Sequence, residues 1–249
     1  MAGWRCVVGG FTCSSNSCLY IQYYTPASVR KHRYLSSLLS DYIGFLDPSP
    51  VSFPGVQIIR KTAFTAAPWK NGGGVTHEAI RVPASGDSFR WRVSVAHIDA
   101  SGPFSDFAAY SRKMVLLRGA GLTLKFAGGE QKVLRHIGEL AEFDGAVPTY
   151  CELLSGPCVD LNLMVSKSAR AEVRVERFAN ELAVLASPLE STLIFGIEDP
   201  LLLKSDADET QRLEPWDLAV LSNGGARISR IAPGNLSAPS AVFFATISD

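Results

Sequence analysis

The sequence lacks a surplus of charge of either sign, and it lacks long uncharged hydrophobic runs. Its 249 residues include 24 Lys and Arg and 24 Asp and Glu, so the formal net charge is zero. Direct binding to nucleic acid normally uses a basic surface, and this composition supplies no excess of positive charge. No stretch approaches the roughly 18 mostly apolar residues of a membrane-spanning helix. We therefore expect no direct nucleic-acid binding and no membrane insertion.

Cysteine and histidine are scarce, and their spacing argues against two common kinds of site. The five cysteines have no regular spacing, unlike the framework of a secreted disulfide-rich protein, so we expect reduced thiols and a cytoplasmic location. The four histidines, His32, His77, His97 and His136, include no His-x-His or His-x-x-x-His pair. Because metal centres usually assemble histidines and carboxylates at close spacing, we expect neither a metal nor another cofactor.

Convincing helices are missing after residue 56, where short segments alternate apolar and polar residues instead. Clear examples are Val75–Val82, Phe89–Val95 and Val159–Val165, and Gly-rich turns separate these segments. The pattern predicts an all-β protein built as an antiparallel sandwich or barrel. Because about fourteen to sixteen strands exceed what one small sandwich needs, we expect two barrel-like halves. We place the first, with the ligand site, at 56–180 and the second, smaller one at 181–249.

Residues 1–55 form a separate segment by composition. Three prolines within Asp47–Gly55 break any regular element, which predicts a boundary there. We interpret 1–55 as a poorly structured appendage. A second interpretation is a wrongly assigned start of translation, because no methionine occurs between Met1 and Met114.

A glycine-rich segment between two β patterns is the first candidate ligand site. Gly72 and Gly73 belong to a run of three glycines, which allows positive φ and a close approach of backbone N–H groups to a ligand. Just before the run, Trp69 offers an aromatic surface, Lys70 a cation and Asn71 an amide, a set that suits a small polar anion. The alternative is a flexible hairpin turn without a ligand.

Alternation also groups polar side chains on two strands. Arg92 and Ser94 share one face of their strand, and Asp160 and Asn162 share one face of theirs. Glu78 can meet Arg92 across neighbouring strands. Both groups either point into a polar barrel or lie on a solvated outer face, and the sequence alone leaves both interpretations open.

Five motifs follow one another along the chain. They are Pro-Trp-Lys-Asn-Gly-Gly-Gly-Val-Thr at 68–76, Trp-Arg-Val-Ser-Val-Ala at 91–96, Gly-Pro-Phe-Ser-Asp-Phe at 102–107, Leu-Leu-Arg-Gly-Ala-Gly-Leu at 116–122 and Gly-Pro-Cys-Val-Asp-Leu-Asn-Leu-Met at 156–164. Together they resemble the HutD/Ves family of bacterial cupin-like proteins, over roughly residues 56–249. The resemblance implies a double cupin, with two jelly-roll β-barrels in one intracellular chain. It also implies that the metal-binding histidines of other cupins are absent.

The same resemblance implies a role in histidine utilisation. Family members are thought to sense or regulate that pathway by binding a small acidic intermediate such as N-formylglutamate or urocanate. Phe104 and Arg112 enter the candidate site through the resemblance alone. The full set of predicted ligand-binding residues is Trp69, Lys70, Asn71, Gly72, Gly73, Glu78, Arg92, Ser94, Phe104, Arg112, Asp160 and Asn162.

Three hypotheses about function follow. The leading one is a metal-free bicupin that binds a small carboxylated metabolite without turnover and acts as a regulator or sensor. The second is an isomerase or hydrolase of a small acid that uses Glu78 or Asp160 as general base. The third is a protein-interaction module without a pocket ligand. A homodimer is left open under each of them.

Overall fold

The computed structural model describes residues 55–69, 72–187, 189–206, 208–222, 224–231 and 239–248. Within these ranges the regular structure consists of nineteen β-strands and one short 3-10 helix, Lys61–Ala63, and the same ranges contain no α-helix. The all-β prediction is thus confirmed. In this part of the chain no helix is long and apolar enough to cross a membrane. The predicted appendage lies outside the described residues, apart from Gly55.

Two sheets make up the first half of the fold. The six-stranded sheet contains, in spatial order, β2 (Thr65–Pro68), β3 (Gly74–Val82), β4 (Trp91–Ile98), β11 (Cys158–Ser166), β6 (Tyr110–Arg118) and β9 (Leu140–Asp144). The four-stranded sheet that faces it contains β5 (Gly102–Pro103), β10 (Thr149–Leu153), β7 (Leu122–Phe126) and β8 (Gln131–Leu134). All pairings within the two sheets are antiparallel.

The second half repeats this arrangement with nine strands instead of ten. Its five-stranded sheet contains β1 (Val56–Ile59), β17 (Leu218–Leu221), β14 (Ser191–Gly196), β19 (Ser240–Ser248) and β12 (Arg170–Phe178). Its four-stranded sheet contains β13 (Glu181–Ala186), β18 (Gly224–Arg230), β15 (Leu201–Ser205) and β16 (Thr210–Leu213). Both β1 and β12 therefore pair with later strands, although they precede residue 180. Because strand pairing does not define independently folding units, the domain boundary at 180 stays a prediction.

The two larger sheets pack against each other and form the central hydrophobic core. Trp91 and Leu161 from the six-stranded sheet meet Phe195 and Phe243 from the five-stranded sheet, and all four are almost fully buried. Each larger sheet packs its other face on the four-stranded sheet of its own half, which creates one further core in each half. The six-stranded sheet is thus covered on both faces, and strand alternation sends neighbouring side chains to two different interiors.

This arrangement decides where the polar side chains of β4 point. Trp91 and Val93 belong to the central core, whereas Arg92 and Ser94 lie on the opposite face and line the interior of the first half. The sequence left an inward and an outward orientation open for these two polar residues. The structure has the inward orientation.

Candidate functional site

A cavity of about 470 Å³ opens in the interior of the first half, against the six-stranded sheet. Polar side chains from that sheet line it together with aromatic side chains. Eight of the predicted ligand-binding residues line this cavity: Trp69, Glu78, Arg92, Ser94, Phe104, Arg112, Asp160 and Asn162.

Strand register explains how residues distant in sequence meet on the polar side. Glu78 on β3 is opposite Ser94 on β4, and Ser94 is opposite Asn162 on β11, so the three form one row across the sheet. Because side chains on one face of a sheet repeat every two residues, the neighbouring rows point into the same cavity.

The two cavity arginines belong to the next row. Met164 on β11 is opposite Arg92 on β4 and opposite Arg112 on β6, so the two arginine positions flank the methionine. Two residues beyond Asn162 in the other direction, Asp160 is opposite Ala96 on β4. The polar face therefore presents two cations and one buried carboxylate on three adjacent strands.

Arg92 is held mainly by aromatic and sulfur contacts. Its Nη2 donates to Sδ of Met164 at 3.5 Å, and its guanidinium carbon lies 5.3 Å from the ring centroids of both Phe89 and Phe107. The ion pair with Glu78 is long, at 3.8 Å from Nη1 to Oε2, and Nε has no hydrogen-bond partner. Burial lowers the pKa of Arg92, and the Glu78 carboxylate partly offsets this. The guanidinium group thus keeps donors for another anion.

Arg112 is buried more deeply and has fewer polar contacts. Its guanidinium carbon lies 4.9 Å from the ring centroid of Phe104 and 5.0 Å from that of Phe143. Nε has no hydrogen-bond partner, and no carboxylate of a described residue lies within 4.0 Å of the guanidinium nitrogens. Burial lowers the pKa of Arg112 to about 10, and the charge of Asp160 opposes that shift. Arg112 is therefore a charged group at neutral pH, enclosed largely by aromatic faces.

Asp160 is the buried acid of the site, with 1% of its surface exposed. Its Oδ1 has no hydrogen-bond partner. Burial raises the pKa of Asp160 to about 7, and the positive charge of Arg112 only partly counteracts this effect. Asp160 can therefore exchange a proton close to neutral pH, a property found at many catalytic and binding sites.

The aromatic side of the cavity is fixed by a hydrogen bond and a ring contact. Nε1 of Trp69 donates to Oγ1 of Thr76 at 2.8 Å, and the Trp69 and Phe104 rings meet edge to face at 6.2 Å between centroids. These contacts set the orientation of an apolar wall whose Phe104 ring also contacts Arg112, so the cavity offers both an apolar surface and a cationic one.

The glycine run has a structural role in the turn between β2 and β3. Gly72 adopts a φ of 70°, and its N–H donates to the carbonyl oxygen of Trp69 at 3.0 Å. The carbonyl oxygen of Gly73 accepts from the N–H of Asp99 at 3.0 Å. Neither glycine lines the cavity, although both were predicted to bind ligand. Lys70 and Asn71, predicted in the same segment, lie outside the described residues.

Sequence reasoning missed several residues of the cavity wall. Met164 shares its strand face with Asp160 and Asn162, as alternation on β11 predicts, but it was not among the predicted ligand-binding residues. Thr76 stands in the same relation to Glu78 on β3. Phe107 follows no strand pattern, and only its position at the end of the Gly-Pro-Phe-Ser-Asp-Phe motif pointed toward it.

Metal ligands do not converge in the described part of the chain. These residues include no group of three or more His, Cys, Asp or Glu side chains that could hold an ion. His77 and His97 meet at 5.1 Å between ring centroids, and neither lines the cavity. Cys151 and Cys158 are free buried thiols, and burial raises the pKa of Cys151 to about 12, which makes it a poor thiolate ligand.

Comparison with known proteins identifies the family. The HutD family model matches residues 61–237, which is most of the described chain. The chain belongs to the HutD family. An uncharacterised 21.2 kDa protein from the region 3′ of hutC in Pseudomonas putida is 34% identical over 163 residues, covering 65% of this chain and 84% of that protein. Protein Ves from Cronobacter sakazakii is 36% identical over 109 residues, covering 43% of this chain and 59% of Ves.

Solved structures agree with this assignment. A conserved protein of unknown function from Pseudomonas aeruginosa PAO1 is 28% identical with a TM-score of 0.71, covering 79% of this chain and all of that one. HutD from Pseudomonas fluorescens SBW25, in a structure described as a formate condition, is 26% identical with a TM-score of 0.64, covering 78% of this chain and 98% of that one. Cupin-fold structures at 8% and 10% identity also match, and these relate to the fold alone. The predicted double-cupin fold of this HutD-family chain is thereby confirmed.

Proposed function

We propose that this HutD-family protein binds a small carboxylated metabolite, of the N-formylglutamate or urocanate class, and acts without turnover as a regulator or sensor in histidine utilisation. One observation carries the proposal: Arg92 and Arg112 line the same cavity, Arg112 has no carboxylate of the described chain within 4.0 Å, and Arg92 has only the long 3.8 Å pair with Glu78. Buried cations without partners are unfavourable, so an anionic ligand has a favourable place here.

The balance of charge in the cavity supports an anionic ligand. Two arginines and two acids, Glu78 and Asp160, line it. Glu78 has 30% of its side chain exposed and lies 3.8 Å from Arg92, so it offsets part of one of the two positive charges. Because the pKa of Asp160 is about 7, this acid is only partly ionised at neutral pH. The cavity therefore keeps a positive potential.

Size and wall chemistry limit the ligand to a small molecule. The volume of about 470 Å³ lies within the roughly 300–1,000 Å³ that is typical of metabolite sites. Trp69 and Phe104 supply apolar contact area beside the charged groups. A short carbon chain or a single ring with a carboxylate fits this combination of volume and surface.

The family relationship gives the metabolic context. A relative from Pseudomonas putida is named for its position 3′ of hutC, and this supports a ligand from histidine degradation. The proposal assigns the protein to the cytoplasm, where the free thiols of Cys151 and Cys158 stay reduced. Direct nucleic-acid binding forms no part of it.

The test is ligand-induced thermal stabilisation of the wild type and two arginine variants. With saturating urocanate or N-formylglutamate we expect the wild-type Tm to rise by about 5 °C. Arg92→Ala should abolish that rise, because it removes a cation from the cavity. Arg227→Ala is the matched control, since this arginine is 68% exposed on the second half and should leave the rise unchanged. An undiminished rise in Arg92→Ala would remove Arg92 from the site.

A second candidate function is an enzyme with Asp160 as general base or acid. A carboxylic acid with a pKa of about 7 is poised for proton transfer at neutral pH, and Asp160 lines the cavity. Incubation of the purified protein with histidine-pathway intermediates, followed by NMR, separates the two candidates. Product formation that Asp160→Asn eliminates would favour the enzyme, whereas binding with unchanged substrate favours the sensor.

A further inference from the structure

Hydrogen-bond donors and acceptors without partners in the described chain both line the cavity. On the donor side, Nε of Arg92 and Nε of Arg112 make no hydrogen bond. On the acceptor side, Oδ1 of Asp160 and Oδ1 of Asn162 make none either. Buried polar groups in folded proteins are nearly always paired, so the unpaired groups call for a partner from outside the chain. A ligand that offered only an anion would satisfy the arginines and leave the acceptors unpaired.

Asp160 is not accounted for as a simple counterion of Arg112. The two residues lie on neighbouring strands, but their charged groups are more than 4.0 Å apart. They still interact electrostatically, and a contact pair would hold the acid firmly ionised, whereas the pKa of Asp160 stays near 7. The separation leaves room between a donor group and an acceptor group.

The strand register places the arginines and Asp160 at different positions along β11. Met164, which the two arginines flank, and Asp160 are four residues apart on the same face of the strand. Four residues correspond to about 13 Å of extended strand, and arginine side chains are long enough to shorten that gap considerably. A molecule with an anionic group at one end and a donor at the other could span it.

We propose that the ligand carries a carboxylate and an N–H donor in one small molecule, with the carboxylate on Arg92 and Arg112 and the N–H on Asp160. The inference rests on the proposed binding function and narrows its ligand class. Simple carboxylates without a donor satisfy only half of the site. Asp160 then determines specificity, because a site built to receive a donor discriminates against analogues that lack it.

Calorimetry with matched ligand pairs tests the inference. Urocanate and 3-(furan-3-yl)acrylate share an acrylate side chain on a five-membered aromatic ring, but only urocanate has a ring N–H. N-formylglutamate and the ester analogue with oxygen in place of N–H form a second pair. For the wild type we expect the N–H member of a pair to bind about tenfold more tightly than its analogue.

Variants at two positions distinguish the ends of the site. Asp160→Asn should reduce the preference for the N–H member to about threefold or less, since a neutral acceptor replaces a charged one. The same variant should leave binding of the furan analogue unchanged or tighter, because the repulsive carboxylate is gone. A merely structural role of Asp160 would weaken both members together. Arg112→Met should weaken both, and Asp144→Asn, at an exposed acid outside the cavity, should change neither.

The binding results distinguish the donor requirement from carboxylate binding itself. Equal affinity of the wild type for both members of each pair would overturn the donor requirement and leave carboxylate binding intact. Loss of affinity for both members in Asp160→Asn would overturn the assigned role of Asp160. Failure of all four compounds to bind the wild type would contradict the proposed function itself.

Discussion

At the scale of single residues, burial shifts the pKa values of three ionisable side chains in the cavity, Arg92, Arg112 and Asp160. Burial lowers the pKa values of Arg92 and Arg112, yet Arg112 stays charged at neutral pH with a pKa of about 10. Burial acts on Asp160 in the opposite sense and raises its pKa to about 7. At neutral pH the arginine therefore keeps its positive charge, whereas Asp160 loses part of its negative charge by protonation. This difference favours an anionic ligand.

Asp160 makes stability depend on pH in a direction opposite to that of most acids. Between its ordinary pKa of 3.8 and the folded value of about 7, the folded state binds more protons than the unfolded state. The contribution of Asp160 to unfolding free energy therefore falls as pH rises through this window, by an amount on the order of 4 kcal/mol. We predict that Asp160→Asn is more stable than the wild type at pH 8 and that the advantage shrinks toward pH 5.

Urea unfolding at a series of pH values measures this difference. The control is Asp144→Asn, because a hydrogen bond from Lys167 lowers the pKa of Asp144 and its carboxylate is exposed. That variant should gain no stability at pH 8. A pH-independent difference between Asp160→Asn and the wild type would show that the acid is ionised throughout.

At the scale of strands and turns, the close approach of β3 to β4 depends on one glycine. A Cβ atom at Gly74 would lie 2.1 Å from the carbonyl oxygen of His97 and 3.3 Å from Cε3 of Trp69. Because a strand backbone cannot yield as a flexible side chain can, even a methyl group must separate the two strands. Trp69, which belongs to the aromatic wall of the cavity, packs beside Gly74.

We predict that Gly74→Ala destabilises the protein by about 2–3 kcal/mol and weakens carboxylate binding, since it displaces Trp69. Gly102→Ala serves as the control, because a Cβ there meets no atom within 4 Å and φ is not positive. That variant should stay within about 0.5 kcal/mol of the wild type. Chemical denaturation measures both changes in stability. Unchanged stability of Gly74→Ala would show that β3 and β4 can separate at little cost in free energy.

Alternation predicted some strands well and others not at all, and sheet coverage explains the difference. β4 and β11 carry polar side chains on the cavity face, so their period of two is visible in the sequence. β6 is missing from the predicted strands because both of its faces are buried and its middle is a continuous apolar run, Met114–Leu117, without alternation. Within that strand, the site residue Arg112 came only from the family resemblance.

The candidate site was predictable where a pattern or motif fixed it. Arg92, Asp160 and Asn162 could be grouped by strand face, although their inward orientation needed the second sheet that covers them. Gly72 and Gly73 could not be separated from true ligand contacts, because a turn glycine and a ligand-facing glycine look alike in sequence. Phe107 could not be found by alternation, since it lies between strands.

At the scale of the whole molecule, the start of the described chain joins the two halves. β1 pairs with β17 in the five-stranded sheet, and the chain then enters β2 of the six-stranded sheet. Asp217 secures this crossing: its carboxylate accepts from Nη1 of Arg60 at 2.8 Å, from the N–H of Lys61 at 2.8 Å and from the N–H of Glu214 at 3.1 Å. The carboxylate is nearly inaccessible, with 2% of the side chain exposed.

We predict that Asp217→Asn lowers the free energy of unfolding by about 2–3 kcal/mol, because an amide replaces a buried acceptor of three donors. Asp208→Asn is the matched control, since that carboxylate is 86% exposed in its pair with Lys204 and should change stability by less than about 0.5 kcal/mol. Denaturant titration compares the two variants. Equal stability of the two variants would contradict the stabilising role of the Asp217 hydrogen bonds.

The crystal structure of the protein with bound urocanate tests carboxylate recognition most directly. We predict that the ligand lies in the cavity of the first half, with its carboxylate oxygens about 3 Å from guanidinium nitrogens of Arg92 or Arg112. A urocanate molecule bound elsewhere, with only water beside the two arginines, would contradict the assignment of this cavity as a carboxylate site.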